Sequence, residues 1–190
     1  MKKTKFDIRS KFTKKVISDS LLKALSHKQL KEITVSEICG DAEINRGTFY
    51  NHFFDIYDVY EYIEETFYDE VVAKFENIQF YSLDRPFYKE ILLLITANEN
   101  FTKLIISNIG GSTLLKKIVG YIRGSYIAEF SKQFPSLNAE KLETLFIYLT
   151  NGSIGIIVEW LNGGTKTSVD AIAEQINQLN TVTIKGFLKI

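Results

Sequence analysis

Apolar residues recur at three- and four-residue steps along almost the whole of this 190-residue chain. That spacing places them on one face of an α-helix, whereas a strand would alternate apolar and polar residues. Only two prolines, Pro86 and Pro135, interrupt the pattern, and proline is the residue that a helix interior tolerates least. The sequence therefore predicts an all-α fold of about nine helices.

Capping residues predict where these helices begin, because a side-chain oxygen at the N-cap accepts a hydrogen bond from a backbone N–H of the first turn. Thr34, followed three residues later by Glu37, forms a capping box. The other predicted caps are Asn45, Asp55, Ser112, Asn138 and Ser168. The predicted helices cover about residues 5–26, 35–42, 46–53, 56–78, 87–98, 101–108, 113–134, 139–161 and 168–188.

The formal net charge is zero, but the charges are unevenly distributed along the chain. Residues 1–54 hold 11 Lys and Arg against 6 Asp and Glu, and residues 55–190 hold 12 against 17. We therefore divide the chain into a basic head, 1–54, and an acidic body, 55–190. A basic head suggests a polyanionic partner. A chance cluster of surface lysines is the alternative, and charge alone does not decide between the two.

Two of the predicted helices, 35–42 and 46–53, are short and joined by a tight turn, as in a helix-turn-helix. Apolar side chains give the motif one packing surface: Val35, Ile38, Cys39, Ala42, Ile44, Phe49 and Phe53. The outward face of the second helix carries Arg46, Gly47, Thr48, Asn51 and His52. A helix of this size fits the major groove of DNA. Arg46 could instead be a solvated surface residue, and Tyr50 could cap the core of the head.

The residues of this motif resemble the DNA-binding signature of the TetR family of bacterial regulators. The resemblance rests on Thr34-Val35-Ser36-x-Ile38 and on Ala42-x-Ile44 followed by the unbroken run from Asn45 to Phe53. It implies an N-terminal three-helix head and a helical body for ligand binding and dimerisation. It also implies a homodimeric repressor that binds a palindromic double-stranded DNA operator and responds to a small-molecule effector. The implied DNA-binding residues are Thr34, Ser36, Asn45, Arg46, Gly47, Thr48, Tyr50, Asn51 and His52.

Two positions depart from the family pattern. Glu43 stands where the turn usually has glycine, so we expect the turn to use another arrangement. Ile56 replaces a lysine common at the start of the fourth helix, which removes one expected phosphate contact and leaves the helix N–H groups and Tyr57. DNA affinity would then depend more on N-terminal cations, namely Lys2, Lys3, Lys5 and Arg9.

The aromatic residues of the body suggest an effector pocket, by the same resemblance. Tyrosines whose hydroxyls need partners when buried are the candidates for ligand contact. They are Tyr88, Tyr121, Tyr126 and Tyr148. Ordinary core packing is the alternative for each of them, since aromatics at helical spacing are most often core.

The last two long helices are predicted to form the dimer, again by resemblance. Gly152 and Gly155 would allow a close helix approach beside Ile156 and Trp160. Packing of the same face within one chain is the alternative. A dimer has a mechanical advantage, because two heads about 34–36 Å apart reach adjacent half-sites on DNA.

The scarcity of reactive residues argues against an enzyme. One cysteine and two histidines supply neither a disulfide framework nor an evident metal site, and we expect no cofactor. No apolar run approaches the ~18 residues of a membrane span, and no signal peptide is evident, so we expect a cytoplasmic protein. A co-regulator or activator that acts through protein contacts, with weak or lost DNA binding, is the alternative function.

Overall fold

The computed structural model describes residues 5–76, 86–107, 112–135 and 137–189. Throughout these ranges the regular structure is helical, which confirms the predicted all-α class. The nine α-helices described are α1 (Lys5–Leu25), α2 (Val35–Asp41), α3 (Arg46–Tyr50), α4 (Ile56–Glu76), α5 (Pro86–Ala97), α6 (Glu99–Ser107), α7 (Thr113–Gln133), α8 (Ala139–Asn162) and α9 (Val169–Leu188). A short 3₁₀ turn at Leu30–Glu32, which apolar periodicity does not predict, connects α1 to α2.

The predicted N-caps begin the helices as expected. Each cap side chain accepts a hydrogen bond from the backbone N–H three residues later, at Thr34, Asn45, Asp55, Ser112, Asn138 and Ser168. The largest difference in length is at α3, which ends at Tyr50. After it the His52 N–H donates to the Phe49 carbonyl, only three residues back, at 2.9 Å, and the chain enters the short connection to α4. The predicted helix continued to residue 53.

The chain divides into two compact units, one ending at Phe67 and the other beginning at Tyr68. This division lies within α4, whereas the sequence places the boundary between residues 54 and 55. The first turns of α4 belong to the first unit because they complete its core. The Tyr62 ring, for example, lies 5.4 Å from the Phe53 ring, and Val59 is fully buried.

The core of the first unit collects one apolar face from each of its helices. Fully buried side chains come from α1, α2, α3 and α4: Ile17, Leu21, Ile38, Phe49 and Val59. Cys39 is buried among them, and burial raises the pKa of its thiol. A buried neutral thiol acts as a small apolar side chain.

The second unit contains two separate hydrophobic clusters, and α8 and α9 contribute to both. One cluster joins α5, the end of α8 and the start of α9, with Leu92, Leu161 and Ile176 at its centre. The other joins α7, the start of α8 and the end of α9, with Tyr126, Phe130, Leu142, Leu145, Phe146, Leu149 and Ile184. By length and composition α8 could also cross a membrane. Core helices meet the same criterion, and α8 supplies core side chains along its whole length.

Candidate nucleic-acid interface

The turn between α2 and α3 depends on one residue with a left-handed backbone. Glu43 has a φ of 52°. Its N–H approaches the Gly40 carbonyl at 3.4 Å, and the Ile44 N–H donates to the Cys39 carbonyl at 3.0 Å. This pair of bonds is the Schellman arrangement that ends a helix, and glycine is the residue that adopts it most readily. The expectation of another arrangement in the turn was therefore wrong: the usual turn is kept, with glutamate in the glycine position.

The first turn of α3 is held by its cap. The Asn45 Oδ1 atom accepts hydrogen bonds from the Thr48 N–H at 2.7 Å and from the Thr48 hydroxyl at 3.2 Å. A Cβ atom at Gly47 would lie 3.2 Å from that same oxygen, so the cap leaves little room for a larger residue. Phe49 is fully buried on the inner side, which turns the opposite face of α3 toward solvent.

The exposed side of α3 carries most of the residues predicted to contact DNA. Arg46, Gly47, Tyr50 and Asn51 are exposed, and Thr48 is half-buried. The Arg46 Nη2 atom donates to the Tyr50 hydroxyl at 3.3 Å. The guanidinium and the phenol, four residues apart, therefore form one polar surface on this face.

The other predicted contacts lie at the edges of this face. Thr34 and Ser36 are exposed at the start of α2, and the Thr34 hydroxyl is occupied as the helix cap. His52 is half-buried, and its Nδ1 atom lies 3.5 Å from the Ser10 hydroxyl of α1. His52 therefore faces α1 more than the predicted outward direction implies.

The start of α4 differs from a phosphate-binding helix end. Ile56 is buried, with 5% of its surface exposed, whereas Phe54 is 83% exposed and Tyr57 58%. Sequence reasoning missed Phe54. A signal was available, because Phe53 is an inward packing residue and its direct neighbour cannot point the same way.

The basic residues near the N-terminus are only partly described. Lys2 and Lys3 lie outside the described residues, and the Lys5 side chain does as well. Arg9 is exposed on α1. The Nζ atom of Lys14 lies 4.4 Å from the centre of the Tyr62 ring. This cation–π contact joins α1 to α4 within the first unit.

The four tyrosines proposed for ligand contact occupy different environments in the second unit. The Tyr88 hydroxyl accepts hydrogen bonds from Asn180 Nδ2 at 2.6 Å and from Ser153 Oγ at 3.2 Å. Burial raises the pKa of Tyr88. Burial, and to a smaller extent the charge of the Tyr88 phenolate, raises the pKa of Tyr126, which packs in the other cluster.

The remaining two tyrosines are separate from this pair. Tyr121 belongs to an aromatic group with Tyr68 and Phe75, whose ring centres lie 6.4 Å and 6.1 Å from its own. Tyr148 is 65% exposed. It lies four residues before Gly152, so it is on the same exposed face of α8 as the glycines and does not point into the interior.

The residues predicted for the dimer lie along an open apolar groove of about 690 Å³ beside α8. Gly152 and Gly155 are exposed, and a Cβ atom at either would meet nothing within 4 Å. Ile156 is half-buried. Trp160 is only 7% exposed, and its Nε1 atom donates to the Thr167 carbonyl at 2.8 Å. Trp160 is thus mainly a core residue and forms one wall of the groove.

The exposed faces of α8 and α9 also carry large apolar side chains that sequence reasoning missed. They are Ile147 on α8 and Leu179 and Val182 on α9, each more than half exposed. Both helices have apolar residues on two sides, so their spacing alone does not say which side faces inward.

Within the described residues, no group of three His, Cys, Asp or Glu side chains could hold a metal ion.

One known family model matches part of the chain. Residues 85–181, half of the chain, match the TetR-type family model described as a transcriptional regulator C-terminal region. None of the curated proteins matches the chain.

Three solved structures share the fold over almost their full length. The dihydroxyacetone kinase operon activator DhaS is 20% identical, with a TM-score of 0.61 over 91% of this chain and 96% of its own. The fatty acid degradation regulator FadR from Bacillus halodurans is 13% identical, with a TM-score of 0.60 and coverage of 95% and 96%. A TetR-family transcriptional regulator from Syntrophomonas wolfei is 15% identical, with a TM-score of 0.60 and coverage of 92% and 96%. At these identities the similarity concerns the fold.

Proposed function

The chain belongs to the TetR-type transcriptional regulators, and from this membership we propose that it binds double-stranded operator DNA as a homodimer. In this proposal α3 enters the major groove and reads base edges through Arg46 and its neighbours. The operator is a palindrome whose two half-sites match the two-fold symmetry of the dimer. A small-molecule effector that binds the second unit changes the affinity for the operator, and the protein is a repressor.

The observation that carries this proposal is the exposed face of α3. The fully buried Phe49 anchors the inner side of the helix in the core, and the Asn45 cap fixes its start. On the other side Arg46, Tyr50 and Asn51 are exposed. A rigid short helix that presents a cation and an amide to solvent has the chemistry for major-groove recognition, in which Arg pairs with guanine and Asn with adenine.

The exposed face of α8 and α9 supports the dimer. On α9, Val182 is 71% exposed and Leu179 57%. Exposed apolar patches of this kind commonly mark interaction sites. A second copy would cover them together with Gly152 and Gly155, which leave space for close contact.

The polar group at Tyr88 supports an effector site in the second unit. Tyr88, Ser153 and Asn180 bring a phenol, a hydroxyl and an amide together between two apolar clusters. A few polar groups in apolar surroundings are typical of small-molecule sites. The effector would lower operator affinity only to the extent that it prefers a conformation unsuited to DNA.

Binding to a library of genomic duplex fragments tests the proposal. The purified protein should select a small set of fragments that contain inverted repeats, and a reporter gene placed behind a selected fragment should be less active when the protein is present. Retention of no fragment above a random-sequence control, at low and moderate salt, would refute DNA binding. Stronger reporter activity would show an activator instead.

Two observations favour a co-regulator as the second candidate. Glu43 places an exposed carboxylate in the turn before α3, and the start of α4 has the buried Ile56 where a lysine would bind phosphate. Both features weaken attraction to DNA. A chain that retains no DNA but co-purifies with a defined regulator, through the first unit, would support this second function.

A further inference from the structure

Phe54 is the most exposed of the large apolar residues in the described part of the chain. It follows α3 by four residues and precedes α4 by two. Tyr57, in the first turn of α4, is also more than half exposed. Ile56, which lies between them in the chain and begins α4, is buried.

The exposed position of Phe54 is held by specific contacts. The Phe54 N–H donates to Asp58 Oδ2 at 2.7 Å, and the Asp58 N–H donates to Asp55 Oδ1 at 2.9 Å. The Asp55 side chain thus caps α4, and the Asp58 side chain holds the residue before that cap. The neighbouring Phe53 is 97% buried, being 3% exposed. The Phe54 ring therefore stands on a fixed backbone and does not owe its exposure to a frayed helix end.

The chemistry around Phe54 indicates contact that does not depend on ion pairs. No lysine or arginine occurs between residues 47 and 73. Both nearby carboxylates, Asp55 and Asp58, accept backbone N–H groups at the positive end of the α4 dipole. This surface can therefore contact a partner through aromatic rings. The neighbouring carboxylates already accept backbone hydrogen bonds.

Duplex DNA is the partner that the surroundings favour. Phe54 is three residues after the exposed Asn51 in the chain, so it lies close to the end of α3. Residues 1–54 carry 11 Lys and Arg against 6 Asp and Glu, a charge that suits a polyanion. DNA also offers apolar surface beside its phosphates, in the thymine methyl groups of the major groove and in the deoxyribose rings.

We propose that Phe54 and Tyr57 form an aromatic contact surface for duplex DNA, packing on thymine methyl groups or deoxyribose beside the groove that α3 enters. This inference rests on the proposed DNA-binding function. The surface takes the place of the phosphate contact that Ile56 cannot make. It contributes affinity that salt does not screen, and, where it meets a thymine methyl, it contributes sequence preference.

The test compares F54A with wild type on one selected duplex across a series of salt concentrations. F54A should bind about tenfold more weakly at every salt concentration. The slope of log affinity against log salt should stay the same, because that slope counts phosphates neutralised by cations. The matched control is F12A, since Phe12 is 68% exposed on the side of α1 opposite the buried Leu21. F12A should bind like wild type.

A second duplex with uracil in place of thymine identifies the atoms that the ring contacts. If wild type binds the uracil duplex more weakly and F54A does not discriminate, the contact is the thymine methyl. If both proteins bind the two duplexes equally well and F54A remains weaker than wild type, the contact is the sugar. Either result supports the proposal.

The proposal fails if wild type binds the duplex and F54A binds it equally well. It also fails if F12A loses as much affinity as F54A, because the effect is then general. Failure of wild type to bind any duplex refutes the proposed function instead. Thermal unfolding of F54A should match that of wild type, since an exposed ring contributes little to the folded state.

Discussion

The side-chain amide of Asn180 donates a 2.6 Å hydrogen bond to the hydroxyl of Tyr88, 92 positions earlier in the chain. Ser153 joins both, so α5, α8 and α9 meet at one polar point. Replacing Tyr88 with phenylalanine removes the acceptor and leaves the amide with Ser153 alone. We expect Y88F to lower the free energy of unfolding by about 1 kcal/mol.

Urea denaturation measures this change, and Y148F is the control. Tyr148 is exposed on the same unit, so loss of its hydroxyl should leave the free energy of unfolding unchanged. Equal stabilities of Y88F and wild type would mean that the hydrogen bonds of Tyr88 add nothing to the folded state.

Glu43 adopts a backbone conformation that favours glycine. Substitution by glycine removes the steric cost of the left-handed conformation, which is roughly 1 kcal/mol for an ordinary residue. E43G should therefore be more stable than wild type by about that amount in thermal or urea unfolding. E43A is the control, because it removes the carboxylate and keeps the Cβ atom. Similar stabilities of E43G and E43A would show that charge, and not the backbone, determines the effect.

Arg46 is the cation on the exposed face of α3 and lies beside Tyr50. If it pairs with a base, R46A should lower operator affinity by roughly 1–3 kcal/mol at fixed salt. K103A, which removes a positive charge from an exposed position of the second unit, should change affinity little. A titration curve of R46A that overlays the wild-type curve would remove Arg46 from the interface.

Val182 lies on the exposed apolar face of α9. A carboxylate there would be buried without a partner in the proposed dimer, at a cost of roughly 3 kcal/mol or more. V182E should accordingly sediment as a monomer at concentrations where wild type sediments as a dimer. S131E places the same charge on an exposed position of α7, outside the proposed dimer surface, and should remain dimeric. Sedimentation of wild type itself as a monomer would contradict the dimer.

The sequence predicted the fold correctly where local interactions determine the structure. Thr34 and Asn45 predicted helix starts because a cap acts on a backbone N–H three residues away. Glu43 shows the opposite case. The absence of glycine at this position suggested a different turn, but the Schellman hydrogen bonds hold the usual conformation in spite of its steric cost.

The functional surfaces were harder to predict from the sequence, because they depend on which side of each helix is buried. In α8, Trp160 and Gly155 are both compatible with an interface by residue type, yet Trp160 is in the core and Gly155 is exposed. The pairing of Tyr88 with Asn180 joins distant segments, and no local pattern reports it. The predicted ligand tyrosines consequently separate: Tyr88 and Tyr126 pack against different hydrophobic clusters, Tyr121 belongs to an aromatic group, and Tyr148 is exposed.

The polar point between the two hydrophobic clusters also restricts how α8 and α9 can be aligned. Ser153 is near the middle of α8 and Asn180 near the middle of α9, with apolar residues above and below each. If α9 slid by one helical turn, the amide of Asn180 would face hydrocarbon and lose both acceptors. One alignment of α8 and α9 is therefore favoured over the alignments shifted by a helical turn. The exposed side chains of the two helices consequently keep a constant spacing for a binding partner.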